Sequence, residues 1–407
     1  MLVNFTVKNF RSFKEERTFS MEAASIKEHK ESVINRNNYK LLPVAVFYGA
    51  NSSGKSNLII SMLIMRSIVI TSNSINPGQS LPYDPFALDE TSKTQPTFFE
   101  IQFIYKETLY RYGFEYNKVE IVSEWLYEKK FGEKEYELFI RSGIEIEVNE
   151  KRFLEGKLIK ENNLTSKNRL FLSVVAQFNG EKSKLIFEWF LFLNGLSGLD
   201  DEIYGNFTSE VFLNEQYSDI ANKAQEFFND LQLGFSEFSV ELGNKGDEDK
   251  AVMLDELTTH NIYNQESEKI GTAKFYKDKM ESEGTKKVIS LSGPIFATLK
   301  SGGILIVDEL DAKLHPLLTR NIVLLFMDPE KNTNGAQLIF ATHDTNLLDL
   351  AIIRRDQIWF AEKDNVESTD IYSLVEFKDE EGKKVRNDCD IKCNYIKGRY
   401  GAIPFIK

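Results

Sequence analysis

Val44-Ala45-Val46-Phe47-Tyr48-Gly49-Ala50-Asn51-Ser52-Ser53-Gly54-Lys55-Ser56-Asn57-Leu58 is the stretch that decides the fold. The apolar run Leu41 to Tyr48 does not alternate, which suits a strand covered on both faces, as in the parallel sheet of an α/β protein. Gly49 to Ser56 matches G-x-x-x-x-G-K-[ST], and the strand before it and the apolar helix after it are the context that motif requires. The glycines let the backbone wrap around phosphate oxygens, while the N–H groups and the start of the helix supply positive field. Gly49, Ala50, Asn51, Ser52, Ser53, Gly54, Lys55, Ser56 and Asn57 are therefore the expected nucleotide cradle, with Lys55 reaching the β and γ phosphates and Ser56 ligating Mg²⁺.

Two later stretches complete the constellation. Ile304-Leu305-Ile306-Val307-Asp308-Glu309 is an apolar strand that ends in two carboxylates. A carboxylate at a buried strand end is costly unless it meets a cation or donors, and phosphate-bound Mg²⁺ supplies one. Asp308 is the expected metal-holding residue, and Glu309 the one that orients and deprotonates the attacking water. The strand Leu338 to Thr342 ends in His343 and Asp344. Beside the Asp308 strand it would bring His343 to the γ-phosphate, so three strand ends point into one crevice.

Outward from there, Leu2 to Ala23 has period two with a break at Arg11 to Glu16, which predicts an antiparallel hairpin. Thr97 to Ile140 alternates Phe, Tyr and Ile with Glu and predicts a meander. From Thr165 to Leu231 the period lengthens, with helices expected over Asn168 to Phe178, Leu185 to Leu193 and Glu210 to Leu231. The expected organisation is an N-terminal lobe over 1–150, a helical insertion with short strands over 151–270, and a C-terminal lobe over 271–407.

Acidic residues outnumber basic ones, 62 to 50, for a net charge of −12. Such a surface disfavours generic DNA coating, which Lys and Arg drive. Cys389 and Cys393 are the two cysteines of the chain, too few for a disulfide framework or a zinc site and in keeping with a reducing compartment. The N-terminus reads as a strand rather than a signal peptide, and the apolar run Leu58 to Ile70 reads as too short to span a bilayer. A cytoplasmic protein with no membrane contact is expected.

The whole pattern resembles the ABC-type ATPase heads of the SMC, RecF and overcoming-lysogenization-defect families. Lys8 to Phe13 resembles their K-N-F-R-S-F stretch, and Leu310-Asp311-Ala312-Lys313-Leu314-His315-Pro316 their D-loop. Phe47 to Ser56, Asp308 to Pro316, Ala341 to Asp349 and Gly398 to Pro404 resemble motifs of the stand-alone bacterial ATPases of the RloA or abortive-infection L type. The resemblance implies an α/β P-loop NTPase of ABC-ATPase head type: a mainly parallel sheet, an N-terminal antiparallel β subdomain and a helical insertion. It also implies an ATPase that uses ATP and Mg²⁺, with Glu309, His343 and Lys55 as its catalytic residues and Ser56 and Asp308 at the metal. A signature serine should cap a helix long enough to cross back over the sheet. Thr285 to Leu299 spans roughly 22 Å at 1.5 Å per residue, which selects Ser282 and Gly284 over Ser292 and Gly293. Asp311 and Arg11 join the expected nucleotide contacts, Arg11 because the hairpin turn lies over the nucleotide in related heads. No Q-loop glutamine is selected among Gln79, Gln95 and Gln102. Asn244-Lys245-Gly246-Asp247 spells N-K-x-D, but it precedes the metal-binding acid and reads as a hairpin turn.

One signature per chain implies a homodimer that sandwiches two nucleotides. The stretch after His343 leaves no room for the Toprim nuclease domain that related proteins append, so the resemblance points to a separate effector nuclease as partner, in defence against phage. The competing reading is a DNA-binding head of the RecF or SMC kind. Lys151, Arg152, Lys157, Lys160, Lys167 and Arg169 offer local basic groups for DNA, but they read as a solvated face.

Overall fold

The computed structural model describes residues 1–36, 38–243, 254–379, 382–386 and 389–403, so the N-K-x-D stretch lies outside the described residues. The chain opens with the antiparallel pair β1 (Leu2–Lys8) and β2 (Arg17–Ser20). A short pair, β3 (Ile34–Arg36) and β4 (Tyr39–Leu41), leads into β5 (Val44–Tyr48) and α1 (Lys55–Thr71). The meander follows as β6 (Thr97–Tyr105), β7 (Thr108–Tyr116), β8 (Ile121–Lys130), β9 (Tyr136–Ser142) and β10 (Glu145–Val148). It joins the opening pair in one antiparallel sheet of order β10-β9-β8-β7-β6-β1-β2. Its alternating sequence is its alternating burial: Phe99, Ile101 and Phe103 are buried between half-buried Glu100 and Gln102.

Next come α2 (Glu155–Glu161), α3 (Phe171–Gln177), α4 (Glu181–Leu191), β11 (Leu193–Ser197), α5 (Glu202–Leu213) and α6 (Ser218–Leu231). A separate antiparallel sheet is built from β12 (Glu237–Leu242), β13 (Leu254–Tyr263) and β14 (Lys269–Tyr276). The remainder is α7 (Lys277–Met280), α8 (Glu283–Ser301), β15 (Ile304–Asp308), α9 (Pro316–Met327), β16 (Gln337–Ala341), β17 (Ile358–Lys363), β18 (Thr369–Ser373) and α10 (Ile391–Ile396).

The central sheet has the order β11-β15-β16-β5-β17-β18. Its first five strands run parallel, and β18 closes one edge antiparallel to β17. Because side chains alternate across a strand, this sheet divides the interior in two. Ala45, Phe47, Ile306, Ile339 and Trp359 enter a core shared with α1 and the meander. Val44, Val46, Leu305, Val307, Phe340 and Phe360 enter a second core shared with α5, α6, α8 and α9. The expected α/β architecture, a mainly parallel sheet with an N-terminal antiparallel β subdomain, is what the chain adopts.

The structure refines several expectations. The segment after residue 151 shares a core with the segment before it. Ile159, Phe171, Val175, Trp189 and Phe190 pack into the first core, and β11 is an edge strand of the central sheet, Ser197 opposite Asp308. The fully buried Glu124 of β8 accepts hydrogen bonds from Phe171 N (2.7 Å) and Leu172 N (3.0 Å), so a meander carboxylate meets the positive end of α3. The helix expected over Glu210 to Leu231 is two helices, α5 and α6, separated at Asn214, whose side chain accepts from Gln216 N. With the turn that follows it, α1 forms a segment, Lys55–Ser74, of 20 residues, long and apolar enough to cross a membrane by length and composition. Its Leu58, Met62, Met65 and Val69 are buried in the first core, as befits a core helix.

Helix α8 carries Pro294 in its interior. Proline lacks the N–H that would reach the carbonyl of Ser290. The Thr208 hydroxyl from α5 donates to that carbonyl at 2.6 Å, which lets the helix run on unbroken. Replacing Thr208 with Val should leave a buried acceptor unpaired and lower unfolding stability by about 1–3 kcal/mol. Urea denaturation checks this; no change would mean that another donor serves Ser290.

Candidate functional site

The loop from Gly49 to Gly54 leaves the end of β5 and turns into α1. Gly54 has φ +108°, and a Cβ there would overlap the Thr369 hydroxyl, so glycine is required both by conformation and by space. Ser53 N donates to Ala50 O at 3.1 Å, closing the loop on itself. Lys55, buried in the first turn of α1, donates from Nζ to Gly49 O (2.8 Å) and Ala50 O (3.1 Å). Burial lowers its pKa, while Asp308, Glu309 and Asp311 work the other way. Ser56 and Asn57 follow in the same turn. Asn57 donates to Ser12 Oγ at 2.8 Å.

Strand β16 lies between β5 and β15, so the predicted neighbours are in register: Ala341 opposite Phe47, and Val307 opposite Phe340. Asp308 and Glu309 follow at the end of β15, and His343 just beyond β16. The buried oxygens Asp308 Oδ1, Asp311 Oδ1 and Ser53 Oγ have no hydrogen-bond partner. Buried polar atoms are ordinarily satisfied, and orphaned carboxylate oxygens beside a phosphate loop suit a hydrated cation. Among the described residues no group of three or more His, Cys, Asp and Glu could hold a metal alone. A cation held by Ser56 and Asp308 would thus complete its shell with water and phosphate oxygens, the usual habit of Mg²⁺. Asp311 Oδ2 accepts from His343 N at 3.3 Å, tying the D-loop to the histidine. Burial and then the neighbouring Lys55 charge lower the His343 pKa below its ordinary 6.5, against the pull of Asp311, Glu309 and Asp308. Both effects favour the neutral ring.

Ser282 caps α8, its Oγ accepting from Thr285 N at 3.1 Å. A Cβ on Gly284 would stand 3.1 Å from Lys313 O, so the signature candidate abuts the D-loop of its own chain. Arg11, at φ +49° in the hairpin turn, is paired through Nε with Asp84 at 2.8 Å. Gln79 and Gln102 are engaged with Asn76 N and Asn4 Nδ2. Several of the basic residues weighed for DNA have partners: Arg152 pairs with Glu128 and Glu133, Lys157 with Glu150, and Arg169 bonds the Ile75 carbonyl.

Two residues went unnoticed in the sequence. Thr369, at the start of β18, donates to Ser53 O (2.9 Å) and Ser12 Oγ (2.7 Å), and its N–H donates to Ser12 O. Ser12 and Thr369 thereby brace the phosphate loop from behind. Ser12 lies within the quoted K-N-F-R-S-F stretch, but nothing in its spacing marks a contact with the loop. Thr369 carries no motif at all.

The sequence matches, over residues 44–349, the family described as "AAA domain, putative AbiEii toxin, Type IV TA system". No curated protein matches it. Among solved structures, the SMC head domain from Thermotoga maritima is similar at 14% identity and TM-score 0.41, covering 91% of this chain and 98% of that one. An SMC head bound to the C-terminal winged-helix domain of ScpA is similar at 13% identity and TM-score 0.38, covering 91% and 97%. The recombination mediator RecF in its ATP form is similar at 12% identity and TM-score 0.31, again covering 91% and 97%.

An NMR titration of His343 should show a midpoint below 6.5, and Lys55→Met should raise it by removing a neighbouring positive charge. A midpoint unmoved by that substitution would separate the two side chains electrostatically.

Proposed function

The chain belongs to the family described as an AAA domain, and on that footing we propose that it is an ABC-type ATPase head that binds and hydrolyses ATP as a dimeric switch controlling a separate effector protein. The observation that carries this is the convergence of the Gly49–Ser56 loop, Asp308, Glu309 and His343 at the C-terminal ends of three adjacent parallel strands, with buried carboxylate oxygens left unpartnered.

In this reading Gly49 to Asn57 cradle the phosphates through backbone N–H groups, and Lys55 exchanges its two carbonyl partners for phosphate oxygens. Ser56 and Asp308 hold Mg²⁺, which neutralises phosphate charge. Glu309 accepts a proton from the attacking water and orients it. Neutral His343 offers a ring N–H to the γ-phosphate, its backbone held by Asp311. Ser282 and Gly284 bind the nucleotide of a second copy, so that two chains close on two nucleotides and separate after hydrolysis. Arg11 contributes once released from Asp84.

The effector is proposed to be a nuclease acting in bacterial defence against phage, in the cytoplasm, and the chain to be close to the RloA and abortive-infection L ATPases. The family description, which names a toxin of a toxin–antitoxin system, supports an effector-linked role. A DNA-holding head is the competing outcome, and the pairing of Arg152 and Lys157 with acids weighs against it.

Phosphate release should fall to background in Lys55→Ala and by roughly 10²-fold or more in Glu309→Gln. With ATP and Mg²⁺ the Glu309→Gln protein should elute as a dimer in gel filtration; a monomer only would overturn the sandwich. Co-purification of a partner without DNA supports effector control, whereas ATP-dependent DNA retention with a steep salt slope would favour the competing outcome.

A further inference from the structure

Behind Glu309 lies a buried charged cluster that the hydrolytic roles above leave unused. The side chain of Lys287, near the start of α8, is 0% exposed. Its Nζ donates to the Gly198 carbonyl, to Asp201 Oδ1 at 2.6 Å and to the Tyr204 hydroxyl. A buried ammonium is tolerated only when its donors are satisfied, and all three here have acceptors. Asp201 is shared: Tyr204 donates to its Oδ1, and Lys313 of the D-loop to its Oδ2 at 3.2 Å.

What this cluster grips is Gly198. The Gly198 N–H donates to Asp308 O at 2.6 Å, and a Cβ on Gly198 would run into the carbonyls of Glu309 and Asp308. Glu309 itself has φ +55°. A glutamate holds a left-handed backbone only where its surroundings impose it. They do so from two sides: Gly198 presses on the Asp308–Glu309 peptides, while Leu310 N bonds Ala341 O at 3.2 Å and Ala312 N bonds Glu309 O at 3.1 Å.

We propose that Gly198, held by Lys287 and Asp201, is a positioning residue for Glu309. It fixes the left-handed backbone from which the carboxylate is aimed at water, and because Lys287 rides on α8, it ties that aim to the helix that begins at Ser282. This rests on the reading of Glu309 as the residue that orients the water.

The test measures steady-state ATP hydrolysis and binding of a fluorescent ATP analogue on the full chain. The variants are Glu309→Gln, Gly198→Ala, Lys287→Met, Lys287→Arg and Asp201→Asn. Gly198→Ala and Lys287→Met should lower kcat roughly tenfold to a hundredfold, the scale on which small misplacements act, with KM and analogue affinity within about twofold of wild type. Lys287→Arg should recover part of the loss, since guanidinium N–H groups can still reach Gly198 O and Asp201. Full turnover in Gly198→Ala overturns the proposal, as does a parallel fall of kcat and affinity in every variant. If Lys287→Met does not fold, Gly198→Ala and Asp201→Asn decide. Wild-type turnover in Glu309→Gln would defeat the underlying reading of Glu309 and the proposal with it. Loss in Glu309→Gln with full turnover in Gly198→Ala would defeat the positioning role alone.

Discussion

Strand β16 is hydrogen-bonded on one side to β5 and on the other to β15, and that parallel pairing is the constraint on which the rest of the molecule depends. The phosphate loop leaves β5, the first acid ends β15 with the second just beyond it, and the histidine follows β16. A one-residue slip would turn alternate side chains to the opposite core. The register is held because each face of the sheet is buried: Ile306 and Ile339 belong to one core, Val307 and Phe340 to the other. The register that sets the site geometry is therefore held mostly by apolar burial on both faces of the sheet.

That sheet also draws in parts of the chain distant in sequence. Strand β11, from the middle of the chain, forms its edge beside β15. Strand β18, near the end, supplies Thr369 to the underside of the phosphate loop, 316 positions from Ser53. The same economy appears in α8, where one helix presents Ser282 at its tip, buries Lys287 against the Gly198 carbonyl and tolerates Pro294 because Thr208 bonds the freed carbonyl. Helices α2 to α4 are no appendage: they share the first core with the meander and are joined to it by the buried Glu124.

Much of the site was legible beforehand because its residues are adjacent in sequence and demand particular neighbours. Gly49 to Ser56, Asp308 with Glu309, and His343 each end an apolar strand, and local pattern reports strand ends well. Helix α8 could be bounded from Ser282 by length alone. The helix expected over Glu210 to Leu231 was misread because its apolar period runs across Asn214, where a side-chain bond to Gln216 N breaks the chain into two helices. The change from strand-like to helix-like period near 151 does not record that both segments fill one core.

By itself the sequence determined the α/β class, the phosphate loop and the order of the acid and histidine strands, because each rests on backbone chemistry within a few residues. Only the tertiary structure decided that Arg11 pairs with Asp84, that Thr369 and Ser12 brace the loop, and that Gly198, bonded by Lys287, lies against the backbone of Glu309. These contacts join segments with no shared motif. They exist because burying both faces of one parallel sheet forces those segments together, and no local pattern records which distant residue will fill the space behind a strand end.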